Sequence, residues 1–282
     1  MNADLAGRRQ TRRRFLAALA LLGLGGSAYA RFVEPNWLDT GRVTVPLSRN
    51  GIRQPLRLLH LSDLHASLFV SLEFIAEAIQ AGVRLRPDLI CVTGDFVTRK
   101  FNRLDHYAEI LSALPKCAPT FACLGNHDGG RWSAGNGGFA TTREVSALLT
   151  KSGIELLSDK TRRLRVGDWP IQLVGLGDLW GGAFWPLRAF ARAADDPADA
   201  TIVLAHNPDA KDQIRGRPWD LMLSGHTHGG QLRLPALGTP FAPVKDMRFV
   251  AGLYAWEDRW LHITKGVGNV FGLRFNCRQS AC

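Results

Sequence analysis

A chain of 282 residues that is 46% hydrophobic and 21% charged can bury one substantial core. No long Pro/Ser/Gly linker, internal repeat or low-complexity tract divides it, and five cysteines without a CxxC spacing exclude a disulfide framework. The formal charge is +10; Arg8, Arg9, Arg12, Arg13 and Arg14 against Asp4 place +4 of it in the first 30 residues, and the basic remainder suits phosphate esters, anionic headgroups, nucleic acid or plain solubility without choosing among them.

The chain opens on Thr11-Arg12-Arg13-Arg14-Phe15-Leu16 and an apolar run from Phe15 to Ala30 that ends in Ala28-Tyr29-Ala30. This stretch resembles a twin-arginine export leader. The run is shorter than the roughly 20 residues of a spanning helix and is broken by glycines, so residues 1–30 read as a leader, cleaved or kept as a membrane anchor. Residues 31–54 read as a lead-in and a first hairpin strand: Gly41 to Pro46 is expected to pair with Leu56 to Leu61 around an Asn50-Gly51 turn. A β-α-β rhythm follows, with a helix over about 71–85, a strand over 88–93, a helix over 103–113, a strand over 120–124 and a helix over 141–151 closed by Gly153. Next come a strand at 154–157, hairpin strands at 162–166 and 171–175, a Trp-rich loop and helix over about 179–194, and a strand at 200–205. A short helix near 209–215, a strand at 220–223 and tail strands at 231–234, 253–256 and 260–264 complete the pattern. The expected fold is α/β, with two mixed β-sheets packed as a sandwich and flanked by helices, in one domain over residues 55–282. Ligands of such sheets gather beyond the carboxyl ends of strands.

Five short motifs occupy those ends: Asp63-Leu-His65, Gly94-Asp95, Gly125-Asn126-His127-Asp128, His206 and Gly225-His226-Thr-His228. Period-2 alternation would place Asp63 and His65 on one side, where carboxylate and imidazole grip one ion. By itself this motif is only a strand-end turn, as is Gly94-Asp95, whose carboxylate has two oxygens and can bridge two ions. The Asn126 amide oxygen can bind metal, which leaves His127 for proton transfer, with Asp128 placed to accept from its other ring nitrogen. His226 and His228, two residues apart in a glycine-framed turn, are a strong metal pair. The donor types suit two divalent ions from among Mn, Fe, Zn and Co, and suit Ca less well.

In this order the five motifs resemble those of the calcineurin-like metallophosphoesterases, over about residues 55–270. The leader, Leu61-Ser-Asp-Leu-His65 and Ser224-Gly-His-Thr-His-Gly-Gly-Gln231 are similar to a bacterial envelope branch holding twin-arginine-exported phosphodiesterases and relatives of UDP-2,3-diacylglucosamine hydrolases. That resemblance implies that Asp63, His65, Asp95 and His228 hold one ion. Asp95, Asn126, His206 and His226 would hold the other, with His127 as proton donor and Asp128 orienting it. Phe96-Val-Thr-Arg99 departs from the family, which often places a further acid in this stretch. The implied reaction is hydrolysis of a phosphodiester or pyrophosphate at the cell envelope, with two cations about 3.5–4 Å apart activating water and His127 protonating the leaving oxygen.

Weaker features bear on the substrate, for which the reading admits a lipid or nucleotide-linked lipid of the lipid A pathway and contact with a membrane surface. Trp180 to Arg192 reads first as a packed loop and surface helix and second as a lip against lipid. Leu68-Phe-Val70 reads first as the start of the next helix's core face and second as the lining of a lipid-facing entrance, Arg162-Arg163-Leu-Arg165 as a solvated strand, and Arg99 with Lys100 as phosphate contacts. His60, His106 and His262 are structural, Cys91 and Cys123 are core residues, and Cys277 with Cys282 would pair outside the cytoplasm. A metal-binding envelope protein without activity is the alternative. A nucleic-acid partner has no motif to support it.

Overall fold

A strand that is apolar on both faces needs a covering layer on each side, and Leu89–Thr93 is such a strand, buried throughout. The computed structural model describes residues 25–47, 54–191, 198–233, 238–272, 274 and 279–280. In chain order its strands are β1 (Leu38–Asp39), β2 (Leu58–Leu61), β3 (Leu89–Thr93), β4 (Thr120–Cys123), β5 (Glu155–Leu156) and β6 (Lys160–Val166). They continue with β7 (Trp169–Gly175), β8 (Ala200–Leu204), β9 (Leu221–Ser224), β10 (Gly252–Trp256), β11 (Arg259–Ile263) and β12 (Gln279–Ser280). Of the two large sheets, one runs β2-β3-β4-β5 and is wholly parallel and the other runs β10-β11-β9-β8-β7-β6, parallel in its centre with an antiparallel strand at each edge; β1 and β12 form a separate parallel pair. The expectation of two mixed sheets is thus corrected for the first of them.

Alternation along the strands builds four layers. Leu89 and Cys91 face the second sheet, where they join Leu173, Ile202, Leu204 and Leu223, while Ile90 and Val92 face the helices Leu72–Val83, Leu104–Leu111 and Arg143–Ser152. On the far side Val203, Met222 and Leu261 pack with Trp219, Ile214 and Phe190. The helix Leu72–Val83 starts where the Ser71 hydroxyl accepts from the Phe74 amide (3.2 Å), and helix Arg143–Ser152 stops at Gly153 in the left-handed conformation (φ 79°).

Three expected elements differ. β2 pairs in parallel with β3, Leu58 opposite Leu89, instead of closing a hairpin with 41–46. Leu58 packs toward the inter-sheet layer and Leu59 and Leu61 toward the helices, so this strand needs neighbours in a sheet covered on both faces. Residues 41–47 form no strand, and the Asn50-Gly51 turn lies outside the described residues. Among the described residues the Trp-rich helix is Pro186–Phe190, and Gln231–Arg233 adds no strand. Residues 1–24, Cys277 and Cys282 also lie outside the described residues; among the described cysteines Cys91 and Cys123 are buried and free.

The two sheets are pinned behind the motif loops by a buried polar contact. His60 Nδ1 meets His262 Nδ1 at 2.9 Å, and His60 Nε2 meets the Thr93 hydroxyl at 2.8 Å. Burial holds both imidazoles below their ordinary value, His262 at about 4, and the His262 ring lowers His60 further. A hydrogen bond between the facing Nδ1 atoms needs a lone pair on one of them, and burial disfavours charge on either ring. Depressed folded values mean that this contribution to stability is complete above about pH 6.5 and is lost as pH falls toward 4. The urea midpoint of the wild type should therefore fall more steeply below about pH 6.5 than that of His262→Asn; parallel curves would contradict this assignment.

Candidate metal centre

The motif loops follow β2, β3, β4, β8 and β9 directly, all at the carboxyl ends of parallel strands. Asp63 and His65 converge by a different route from the one expected. Residues 62–65 are not extended; Asp63 (φ 52°) and His65 (φ 51°) are left-handed, and their amides donate to Gly94 O and Asp95 O, each at 2.9 Å. Asp95 (φ 56°), His226 (φ 68°) and His228 (φ 51°) share that conformation. For a residue with a side chain this costs about 1–2 kcal/mol, and strain gathered on five donor residues is a mark of a built site. Gly125 lets two of the loops cross: a Cβ there would lie 2.7 Å from the Asp95 nitrogen.

The donors meet around one carboxylate. Asp95 Oδ2 lies 3.4 Å from His65 Nε2 and 3.1 Å from His206 Nε2, between two groups. On one side Asp63, His65, Asp95 and His228 place a ligand atom each within 4.8 Å of one another, with His65 Nε2 3.1 Å from His228 Nε2 and His228 Nε2 3.4 Å from Asp63 Oδ1. On the other side His226 Nδ1 is 3.2 Å from His206 Nε2. Outward nitrogens are held by carbonyls, His206 Nδ1 donating to Thr93 O (2.7 Å) and His226 Nε2 to Pro243 O (3.1 Å), which fixes each ring with its other nitrogen turned inward. The buried amide oxygen of Asn126 has no hydrogen-bond partner. An orphaned buried acceptor beside neutral imidazoles and paired carboxylates is what divalent ions fit.

Electrostatics agree. Burial alone would raise Asp95, but His206, His127 and His65 outweigh it and hold its carboxyl well below the usual range. Burial alone would lower His206, yet Asp95, Asp63 and Asp178 raise it well above the ordinary value, so without metal a proton sits between His206 and Asp95. Burial keeps His226 at about 3 and His228 at about 4, both neutral and ready to ligate.

Asp128 does not orient His127. Its carboxylate accepts from the amides of Gly125 (2.8 Å), Asp95 (2.8 Å) and Phe96 (2.7 Å), so it clamps the GNHD loop to the Gly94-Asp95 loop. Burial and the Asp95 charge push it up to about 8, against the pull of the Gly125 and Phe96 amides. The His127 ring is held by a backbone carbonyl instead, Nδ1 donating to Thr98 O at 2.8 Å. The Thr98 hydroxyl also meets His65 Nδ1 at 3.1 Å. Thr98 lies in the stretch that departs from the family, and its backbone serves where a further acid was expected.

A cavity of about 260 Å³ opens over the centre, lined by Asp95, Asn126, His127, His226, His228 and Arg99 among others. Two indoles that the motif reading missed edge it: Trp132 packs on His127 and Trp180 on His226, both with ring centroids 4.5 Å apart. Trp180 thereby leaves the peripheral role first assigned to its segment. Asp178 was missed too, although Gly177-Asp178 after β7 repeats the Gly-Asp signal; it is buried, and its Oδ1 accepts from the Trp180 and Gly181 amides, each at 2.8 Å. A larger depression of about 570 Å³ beside Trp185, Leu187 and Arg188 is lined by no carboxylate and no imidazole.

Replacing Asp128 by Asn should lower stability by about 3 kcal/mol, because one acceptor oxygen becomes a donor facing buried amides. It should also weaken metal uptake measured by calorimetry. Unchanged stability in urea would contradict the clamp.

A family model for calcineurin-like phosphoesterases matches residues 56–230. Phosphodiesterase YaeI of Escherichia coli is 42% identical over 271 residues, 95% of this chain and 96% of that protein. The uncharacterized metallophosphoesterase YkuE of Bacillus subtilis is 30% identical over 90% of this chain and 86% of its own length. UDP-2,3-diacylglucosamine pyrophosphatase LpxG of Chlamydia trachomatis is 28% identical over 90% of this chain and 91% of its own. Among solved structures, the sulfate thiohydrolase SoxB of Thermus thermophilus shares the fold at a TM-score of 0.50 and 15% identity, over 78% of this chain and 53% of that longer one. The chain therefore belongs to the calcineurin-like phosphoesterase family and is a metal-dependent phosphoric ester hydrolase.

Proposed function

We propose that this hydrolase is a dinuclear phosphodiesterase or pyrophosphatase of the cell envelope whose substrate is a lipid-linked phosphoester of the UDP-2,3-diacylglucosamine type. The observation that carries the dinuclear reading is the placing of Asp95 Oδ2 between His65 and His206. Asp63, His65, Asp95 and His228 would hold one ion, and Asp95, Asn126, His206 and His226 the other. When bound, such ions supply positive charge to the phosphoryl oxygens and a nucleophile from water at neutral pH. The Thr98 carbonyl fixes the Nδ1 proton of His127, so Nε2 is the one ring atom left to give a proton to the departing oxygen. Trp132 shields that ring from solvent, and exposed Arg99 on the cavity wall is placed to bind a phosphate oxygen.

The relatives support a phosphodiester or pyrophosphate bond as the target, YaeI by its name and LpxG by the pyrophosphatase it names. For the envelope, the support is the leader-like first 30 residues ahead of a domain over 55–282. Retention of that leader is favoured by packing: Ala30 is buried and its carbonyl accepts from the Arg274 amide at 2.9 Å, a contact that cleavage after Ala30 would remove.

With Mn added, the wild type should hydrolyse bis-p-nitrophenyl phosphate, and Asp95→Asn and His127→Ala should each lower kcat by about 10²–10⁴. Equal rates in all three would defeat the enzymatic reading. Among natural compounds, UDP-2,3-diacylglucosamine should be cleaved faster than phospholipids or cyclic nucleotides; the reverse order would defeat the lipid-linked assignment.

A further inference from the structure

Leu68 and Phe69 follow His65 closely, and of the two readings open to them, core face and lipid-facing entrance, the first is not what the structure shows. Instead Leu68 is fully exposed and Phe69 half exposed, while only Val70 goes inside. The cause is local: the Ser67 hydroxyl accepts from the amides of Phe69 (3.2 Å) and Val70 (3.3 Å), a turn that ends just before the helix cap at Ser71 and holds Leu68 outward. Two other segments bring large apolar groups to the same place. Phe32 (68% exposed) and Val33 lie on the helical turn Tyr29–Val33, and Phe271 (63% exposed) lies on the loop after β11. Arg31 joins the three segments: its guanidinium covers the Phe32 ring at 5.3 Å and the Phe69 ring at 5.4 Å, and its Nη1 donates to Gly272 O at 3.3 Å. Phe271 also lines the cavity over the metal centre, so the patch is continuous with the cavity mouth.

We infer that this rim is a docking face for an anionic lipid bilayer. A joined patch of Phe, Leu and Val is unusual on a protein surface and marks a site of contact. What covers it is argued from the chain that leads into it. Residues 15–24 are Phe-Leu-Ala-Ala-Leu-Ala-Leu-Leu-Gly-Leu, preceded by five arginines from Arg8 to Arg14, and they reach the patch through the helical residues 25–33. In sequence, a cationic cluster and an apolar segment directly precede the described residues 25–33, which lie beside an apolar rim with its own arginine. Stable attachment to a bilayer takes two such signals, and anionic headgroups answer the arginines. With Leu68, Phe69 and Phe271 set into the interface, the mouth of the cavity would open at the depth of the phosphates. The inference deepens the lipid-linked reading of the same site and rests on it only for the identity of the substrate.

The test uses the full chain with Cys117, Cys277 and Cys282 replaced by Ser, leaving the buried Cys91 and Cys123 unreactive. Leu68→Cys and, as a control on helix Arg143–Ser152, Ala147→Cys are labelled with an environment-sensitive nitrobenzoxadiazole dye. Vesicles of phosphatidylethanolamine and phosphatidylglycerol should raise emission at position 68 about twofold, with a blue shift, and leave position 147 unchanged. A flat signal at 68 in protein that sediments with the vesicles overturns the inference, because attachment then runs through residues 1–24 alone or those residues already cover the patch. Failure to sediment overturns it as well, and an equal rise on phosphatidylcholine vesicles overturns the anionic requirement. Hydrolysis of soluble bis-p-nitrophenyl phosphate is read on the same samples: its loss with docking intact counts against the enzymatic reading alone.

Discussion

The structure is organised around a buried carboxylate that has no right to be charged without company. Asp95 is enclosed between two sheets, and its charge is tolerated because His65 and His206 reach one oxygen while the His127 amide donates to the other at 2.9 Å. Without metal, a proton on His206 supplies part of the compensation. With metal, that proton must leave, so ion affinity and pH are linked through this one pair. Every other donor is placed relative to Asp95, from sheet one through Asp63, His65 and Asn126, and from sheet two through His206, His226 and His228.

Holding so many polar groups in one spot has a structural cost that the fold meets elsewhere. Five donor residues adopt left-handed backbone, and the loops that carry them touch through Gly94 and Gly125. Asp128 offsets that strain by satisfying four amides at the crossing point, and the His60–His262 contact pins the sheets beneath it. A residue two places from a ligand thus acts on the ions through the backbone, which is why its neighbour His127 is free to take its orientation from the Thr98 carbonyl.

Much of this was legible from residue types and order. Apolar runs bounded by Pro87, Pro119 and Gly153 located β3, β4 and the end of helix Arg143–Ser152, and the seven donors were named from strand-end motifs that the structure brings together. What was hidden depends on backbone. Period-2 spacing suggested an extended Asp63-Leu-His65, whereas two left-handed residues make the turn. No side-chain pattern announces that Thr98 O, Thr93 O and Pro243 O will hold three imidazoles. The hairpin of 41–46 with 56–61 failed because Asn50-Gly51 is a local signal, while the pairing of β2 with β3 is decided by burial on both faces. Leu68 reads first as core and second as a lipid-facing entrance, and the Ser67 hydroxyl turn that holds it outward is a local feature that periodicity does not report.

The reaction is set by the donors, and the choice of substrate is left to the rim, which Trp132, Trp180 and Phe271 line. The central claim is that seven side chains hold two ions with Asp95 between them. Elemental analysis of the full chain after equilibration with Mn and gel filtration tests it most directly, run beside Asn126→Ala. The account requires two ions per chain in the wild type and one in the variant, since Asn126 belongs to one ion only; a single ion in the wild type, or two in both proteins, would contradict it.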